Sequence, residues 1–304
     1  MYDVIVVGGG PAGMTAALYA LRNGKSVLVL EKSGFGGQIT SSPRVENYPG
    51  YAGISGSALA DAMMEQIMAL GAEVELDEAV SVRSENGLRV VETADGNRYE
   101  AKAVVLATGM KHRLLGLPEE EELLGGGISV CAVCDGAFHT GYEVAVVGGG
   151  DTALQDALFL ANNCAKVTLI HRRDEFRGEK KLVEQVLARE NIEVLYSHTV
   201  ERYVQKNGEF TGVVVLDKKS GEEKELTLSG LFLAVGHKPE TAAFADAVSC
   251  DTEGFFAVGE DMNTKTEGVF VAGDCRAKTV RQLTTAVGDG ATAALAACKY
   301  IDAN

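Results

Sequence analysis

The sequence predicts an α/β protein of two doubly wound domains, the second inserted into the first, each with an additional antiparallel β-meander. Three observations predict it. Residues 4–32 align without a gap to residues 144–172, with ten of 29 positions identical. Each copy carries a glycine fingerprint between a strand-like and a helix-like run. Beyond each copy the same order follows: a helix, short strands with turns, and an apolar strand ending in glycine. A repeat of this length marks duplicated supersecondary units.

The elements follow in order. Residues 4–7 and 144–147 are short β-branched runs, as strands buried on both faces should be. Helices are expected at 11–23 and 151–163, and strands return at 27–30 and 167–170. A second helix follows in each series, at about 57–70 and 178–190. In the first of these Leu59, Met63, Ile67 and Leu70 form an apolar stripe expected to pack in the core. Turns such as Glu85-Asn86-Gly87 and Asn207-Gly208 punctuate the short strands. The series close on residues 103–109 and 231–236. After residue 241 only a strand at 269–272 and a helix at about 284–301 remain, too little for a third domain. They are expected to complete the first. The expected division is residues 1–115 with 241–304, and residues 116–240. The acidic run 119–122 is expected to be a solvated loop beside the first crossing.

Composition narrows the function. Lys and Arg total 28 and Asp and Glu 43 in 304 residues, a net charge of −15. Such a surface repels phosphate backbones and anionic lipid, so neither nucleic acid nor membrane is an expected partner. Hydrophobic residues at 46% argue against disorder. Residues 4–21 carry no charge, but Gly8-Gly9-Gly10-Pro11 interrupts them and Asp3 precedes them, so no targeting or membrane segment is expected. Six cysteines are too few for a disulfide scaffold, and a reducing, cytoplasmic setting is expected.

The fingerprints are Gly8-x-Gly10-x-x-Gly13 and Gly148-x-Gly150-x-x-Ala153, the second followed through Asp151 and Thr152 into its helix. The first glycine permits the tight turn, the second lets pyrophosphate approach the backbone, and the third position lets helix and strand pack closely. Both domains therefore read as Rossmann-like and nucleotide-binding. Glu31, 23 residues after Gly8, suits a ribose with a free diol. His171 holds the same place in the second copy, followed by Arg172, Arg173 and Arg177. Guanidinium groups there suit the 2′-phosphate of NADP(H), which a carboxylate would repel.

Cys131-Ala132-Val133-Cys134-Asp135-Gly136 lies between the two series. Thiols at this spacing can form a disulfide or a reactive dithiol, and Asp135 is suited to carry a proton for the adjacent sulfur. A zinc site using His139 and a distant cysteine is the alternative. It lacks a second CxxC pair. Cys164, Cys250, Cys275 and Cys298 are isolated, and only Cys275 adjoins a candidate cofactor ligand.

With two nucleotide sites and a CxxC opening Cys-Asp-Gly, the sequence resembles the low-molecular-weight NADPH-dependent thioredoxin reductases. The resemblance runs nearly end to end. It includes Gly36-Gly37-Gln38, Val45-Glu46-Asn47-Tyr48-Pro49-Gly50, Ala107-Thr108-Gly109, Gly236-His237, Gly273-Asp274 and Arg281-Gln282. It implies FAD in the first domain and NADPH in the second. Gly37, Gln38, Asn47, Thr108 and Gly109 match flavin-side positions, with Gln38 and Asn47 as hydrogen-bonding amides. Asp274 matches the carboxylate that binds ribityl or ribose hydroxyls. Arg281 and Gln282 match residues whose backbone meets the flavin edge, ahead of a helix whose positive end favours reduced flavin. The resemblance further implies a homodimer, a swivel about the two crossings, and electron flow from NADPH through FAD and Cys131–Cys134 to thioredoxin or a thioredoxin-like protein. A dithiol oxidase of the same fold is the alternative, but it would not need the arginine cluster. Two departures stand out: Val133 where threonine is common, and Cys275 after Asp274.

Overall fold

The computed structural model describes residues 1–42 and 44–304. They form two compact units, one of residues 1–111 with 238–304 and one of residues 112–237. The second unit starts four residues and ends three residues before the expected 116–240.

The first unit opens with β1 (Tyr2–Val7), α1 (Pro11–Arg22), β2 (Val27–Glu31), α2 (Gly56–Ala69) and β3 (Glu73–Leu76). The meander β4 (Ala79–Glu85), β5 (Leu88–Thr93) and β6 (Arg98–Leu106) follows. The sheet order is β3-β2-β1-β6-β5-β4. β6 serves twice: residues 98–101 pair antiparallel with β5, and residues 101–106 run parallel to β1. One strand thus fuses meander and parallel sheet. Along β1 the side chains alternate between two cores. Val4 and Val6 face α1, while Ile5 and Val7 face a cluster with Phe244 and Phe256. Both faces are covered, which is why the strand is apolar throughout.

β7 (Met110–His112) leaves this unit. The second contains α3 (Glu120–Leu123), β8 (Ile128–Ser129), α4 (Ala132–Asp135), β9 (Glu143–Gly148), α5 (Asp151–Leu160), β10 (Lys166–His171), α6 (Lys180–Leu187) and β11 (Ile192–Tyr196). It ends with the meander β12 (His198–Lys206), β13 (Glu209–Asp217) and β14 (Glu223–Thr227), then β15 (Gly230–Ala234). The parallel order is β11-β10-β9-β15-β8, and the meander forms its own sheet. Ala145 and Val147 face that meander through Val213 and Val215, and Val144 and Val146 face the helices.

β16 (His237–Pro239) pairs with β7 as the chain returns. β17 (Val269–Val271) then adds to β6, and α7 (Leu283–Ala303) packs on α1. The two helices meet through alanines, and a Cβ at Gly290 would stand 2.2 Å from the Ala12 carbonyl oxygen. Only glycine permits that approach.

Three expectations need correction. The helix from residue 151 stops at Leu160, because Asn162, Asn163 and Cys164 turn back onto the carbonyls of Phe159 and Leu160. Leu70 caps α2 and is exposed, outside the buried stripe. The acidic run is not uniformly solvated. Glu120 is 3% exposed. Its Oε1 accepts from the Leu115 N–H at 2.9 Å and the Tyr203 hydroxyl at 2.5 Å, and its Oε2 from the Gly116 N–H at 2.7 Å. Burial, and then the adjacent carboxylate, push the Tyr203 hydroxyl far up, so it stays a donor. One carboxylate therefore holds the backbone of the first crossing to the meander.

Glu120→Ala is expected to lower unfolding stability by on the order of 3 kcal/mol, since it strands buried donors. Urea unfolding followed by circular dichroism checks this. A midpoint equal to wild type would contradict it.

Candidate active site

In the first unit, the β1–α1 turn is shaped by contacts only glycine tolerates. Gly8 has φ +107, and a Cβ at Gly13 would lie 1.8 Å from the Gly8 carbonyl oxygen. A Cβ at Gly10, by contrast, would meet nothing nearer than the Gly37 Cα at 3.9 Å. Gly10 caps α1, which has no side-chain cap and no acid in its first turn. The helix N–H groups and dipole are thus left to an anion. Glu31, buried at the end of β2, accepts from the Gly9 N–H at 2.7 Å and the Ser33 N–H at 3.1 Å. Each carboxylate oxygen keeps capacity for a ribose hydroxyl. These residues fit the adenosine diphosphate half of FAD.

The other predicted flavin-side residues lie in the same unit. Gly37 (φ +59) opens a short 3-10 turn, and Gln38 Nε2 donates to the Met110 carbonyl at 2.5 Å. Asn47 Nδ2 donates to Gln282 Oε1 at 3.4 Å. Gln282 caps α7 in a capping box with Thr285. Arg281 stacks its guanidinium 4.1 Å from the Phe255 ring centre, and burial lowers its pKa. Its side chain is therefore engaged with the protein, leaving its backbone as the part free to meet a ligand. Thr108 and Gly109 (φ +69) form the turn after β6. Behind them Cys275 is wholly buried, its thiol pushed up by that burial. Cys275 is therefore an inert core residue.

The second turn repeats the first. A Cβ at Gly148 would strike the Ala234 carbonyl oxygen at 2.5 Å, and one at Gly150 would meet nothing within 4 Å. Gly150 caps α5 with no side-chain bond. Asp151 and Thr152, in its first turn, are exposed, and Asp151 Oδ1 accepts from the Glu179 N–H at 2.7 Å, tying the following loop to the helix start. His171 is buried beneath the turn, its ring filling the space a Cβ at Gly149 would take. Its Nε2 lies 2.8 Å from the Glu175 carbonyl, and its ring stacks on Phe176. Burial lowers its pKa, so the ring is neutral at neutral pH. His171 shapes the loop that carries the arginines. Arg172, Arg173 and Arg177 are exposed, and among the described residues none of their side chains has an ion pair. In so acidic a chain, three unpaired guanidinium groups in one loop fit a phosphate.

Cys131 and Cys134 form a disulfide in the same unit. Cys131 caps α4, and its sulfur accepts from the Cys134 N–H at 3.3 Å. Ser129, on β8, donates from its hydroxyl to Asp135 Oδ2 at 2.6 Å and accepts from the Cys131 N–H at 3.0 Å. Burial raises the Asp135 pKa, against the opposing pull of Ser129 and His139. Asp135 is thus a carboxyl inclined to hold a proton beside a redox pair. Among the described residues no group of three His, Cys, Asp or Glu is placed to hold a metal ion.

Sequence reasoning passed over Arg276, Lys278 and Asp289. Asp289, 5% exposed on α7, accepts from Arg276 Nε at 2.9 Å, Lys278 Nζ at 3.0 Å and the Gly273 N–H at 3.1 Å. Lys278 Nζ also lies 3.0 Å from Asp274 Oδ1. The only sequence signal was an Asp amid small residues, Gly288-Asp289-Gly290, on a helix whose face is otherwise apolar.

The comparisons agree with this geometry. The family model of the pyridine nucleotide-disulphide oxidoreductases matches residues 2–290. A thioredoxin reductase of Bacillus subtilis is 40% identical over 302 residues, covering 99% of this chain and 95% of that one. A bifunctional thioredoxin reductase/thioredoxin of Mycobacterium leprae is 43% identical over 305 residues, covering 99% of this chain and 66% of that one. The crystal structure of thioredoxin reductase from Streptococcus pyogenes superposes with a TM-score of 0.95 at 39% identity, covering 100% of this chain and 99% of that one. This chain belongs to the thioredoxin reductases of the pyridine nucleotide-disulphide oxidoreductase family. The reductase is an NADPH-dependent flavoprotein, with FAD and NADPH as its cofactors. No helix among the described residues is long and apolar enough to cross a membrane.

The raised Asp135 pKa has a sign that can be checked. The folded carboxyl keeps its proton to higher pH than the unfolded one, so stability is highest below the unfolded pKa and falls as pH rises through the folded value. Asp135→Asn is expected to remove that part of the slope. Melting temperatures of the oxidised protein between about pH 4 and pH 7 measure it. Parallel profiles for the two proteins would sink the reading.

Proposed function

We propose that residues 1–115 with 241–304 form the FAD domain and residues 116–240 the NADPH domain. In this reading reducing equivalents pass from NADPH through FAD to the Cys131–Cys134 disulfide, and from there to thioredoxin or a thioredoxin-like protein. The observation that carries it is the disulfide beside Asp135 in the unit that also bears the exposed loop of Arg172, Arg173 and Arg177, which have no ion pair among the described residues. Bound FAD would supply a hydride acceptor for NADPH and a two-electron donor for the disulfide. The remaining work belongs to the chain.

Gly8, Gly10 and Gly13 set the α1 N-terminus against the FAD pyrophosphate, Glu31 takes the adenosine ribose, and Asp274 takes flavin-side hydroxyls. Gln38 and Asn47 present amides to the flavin. Gly37, Thr108, Gly109, Arg281 and Gln282 supply backbone around it. Gly148 and Gly150 with the α5 N-terminus receive the NADPH pyrophosphate beside Asp151 and Thr152. Arg172, Arg173 and Arg177 grip the 2′-phosphate, and His171 positions their loop. Reduction breaks the S–S bond with two electrons; Asp135 supplies one proton to the adjacent Cys134 sulfur, Cys131 is left a thiolate, and the second proton of the overall reaction is taken from water by the partner's released sulfur. Cys131 then attacks the partner disulfide as a thiolate, forming a mixed disulfide that Cys134 resolves. The dithiol is reoxidised and the partner leaves with two thiols. Four free cysteines, three of them buried, suit a reducing cytoplasm. A homodimer follows from the family resemblance. The dithiol oxidase alternative leaves the unpaired arginines without a purpose.

Cys134→Ser is expected to cut NADPH oxidation coupled to thioredoxin by on the order of a hundredfold or more. NADPH should still bleach the flavin of that variant under anaerobic conditions. A variant with full thioredoxin-linked turnover would rule out the dithiol route. Arg172→Ala combined with Arg173→Ala removes two charge-assisted contacts, together worth on the order of 3–6 kcal/mol at most. The KM for NADPH should rise steeply and that for NADH little. Equal effects on both would refute the 2′-phosphate assignment.

A further inference from the structure

We propose that Lys278 is a positioning residue for FAD. Its ammonium fixes the Asp274 carboxylate and offsets its charge, and Asp289 holds Lys278 in place. This rests on the reading that Asp274 binds FAD hydroxyls.

Lys278 is buried, its side chain 5% exposed. Its Nζ faces three oxygens: Asp274 Oδ1 at 3.0 Å, Asp289 Oδ2 at 3.0 Å and Thr285 Oγ1 at 3.4 Å. The ammonium hydrogen-bonds Asp289 and Thr285, and it meets Asp274 Oδ1 as an ion pair, a buried oxygen with no hydrogen bond of its own. Asp289 is shared with the Arg276 guanidinium, through Nε at 2.9 Å and Nη2 at 3.1 Å. Arg276 also reaches Glu260 at 3.1 Å. Arg276 is therefore committed to other carboxylates, and Lys278 is the cation that meets Asp274.

The location explains the need. Asp274 follows Gly273, whose φ is +84 and where a Cβ would stand 2.8 Å from the Ala12 side chain. Ala12 lies in the first turn of α1, directly behind the first glycine turn. A carboxylate here stands beside the place of a pyrophosphate. Unpaired, it would repel that anion. Ion-paired through Oδ1 to Lys278, it keeps Oδ2 for a hydroxyl with its charge partly offset. The Gly273 N–H bond to Asp289 at 3.1 Å fixes the backbone of the same turn. α7 thus sets the geometry of Asp274 without touching the ligand through these side chains.

The test is the FAD dissociation constant, read from flavin fluorescence as apoprotein is titrated, for wild type, Lys278→Gln, Lys278→Arg, Asp274→Asn and the double variant Asp274→Asn with Lys278→Gln. Apoprotein melting is measured alongside. Lys278→Gln is expected to weaken FAD about tenfold or more, the scale of one charge-assisted contact. Lys278→Arg should recover most of that loss. Asp274→Asn should cost less in the Lys278→Gln background than in wild type. If Lys278→Gln does not fold, Lys278→Met, which suits the buried stem, takes its place with the same expected loss. Lowered apoprotein melting with unchanged FAD affinity would make Lys278 a stability residue only and overturn the proposal. So would an arginine variant as impaired as the glutamine one. If Asp274→Asn itself leaves FAD affinity unchanged, the underlying reading of Asp274 fails instead.

Discussion

A helix N-terminus without a side-chain cap, at the C-terminal end of an interior parallel strand, is the constraint on which each unit depends. A Cβ at Gly10 or Gly150 would meet no protein atom nearer than 3.9 Å, so the space in front of each helix start is open. The helix must also lie close to its strand, which Gly13 permits against Gly8 and Ala153 permits against Gly148. Closeness then propagates. α1 is lined by alanines, and α7 answers with its own and with Gly290 against Ala12. A long side chain at any of these contacts would lift the helix from the sheet and move its positive end away from the ligand.

Charge is organised by the same constraint. The chain is acidic overall, and two groups of its cations contrast. The side chains of Arg276 and Lys278 are buried and ion-paired with carboxylates, which ties them to the Gly273–Asp274 turn. Arg172, Arg173 and Arg177 are exposed and unpaired, on a loop held by His171 and Asp151. Buried pairs lose their charge to one another, whereas exposed unpaired guanidinium groups keep theirs for a ligand. Glu120 shows the buried logic in a third setting, using one carboxylate to collect two backbone amides and a tyrosine hydroxyl.

What was legible in the sequence follows from range. The fingerprints, the CxxC and the arginine loop are local patterns, and local patterns carry local mechanisms. The apolar strands were equally plain, because burial on both faces removes every polar residue. Helix ends were less so: Asn162-Asn163, a residue type that favours helix C-termini, already stand in the turn that folds back at Leu160, three residues before the expected end. Glu120 and Asp289 were missed for one reason. Each has partners distant in sequence, Tyr203 for Glu120 and the Gly273 to Lys278 segment for Asp289, and an acidic residue without its partners reads as surface. The position of His171 after the second strand is plain in the sequence, but its depth beneath the turn, beside Gly149, is not.

By itself the sequence determined the duplicated α/β architecture, the two nucleotide turns and the redox pair, since each is written in contiguous residues whose chemistry depends on their immediate neighbours. Only the tertiary structure decided which carboxylates are surface and which are fasteners. It brought α7 to the β1–α1 turn, made β6 a member of both sheet types and placed Lys278 between Asp274 and Asp289. The physical reason is that a buried charge is defined by its partners, and those partners are assembled only when distant segments pack.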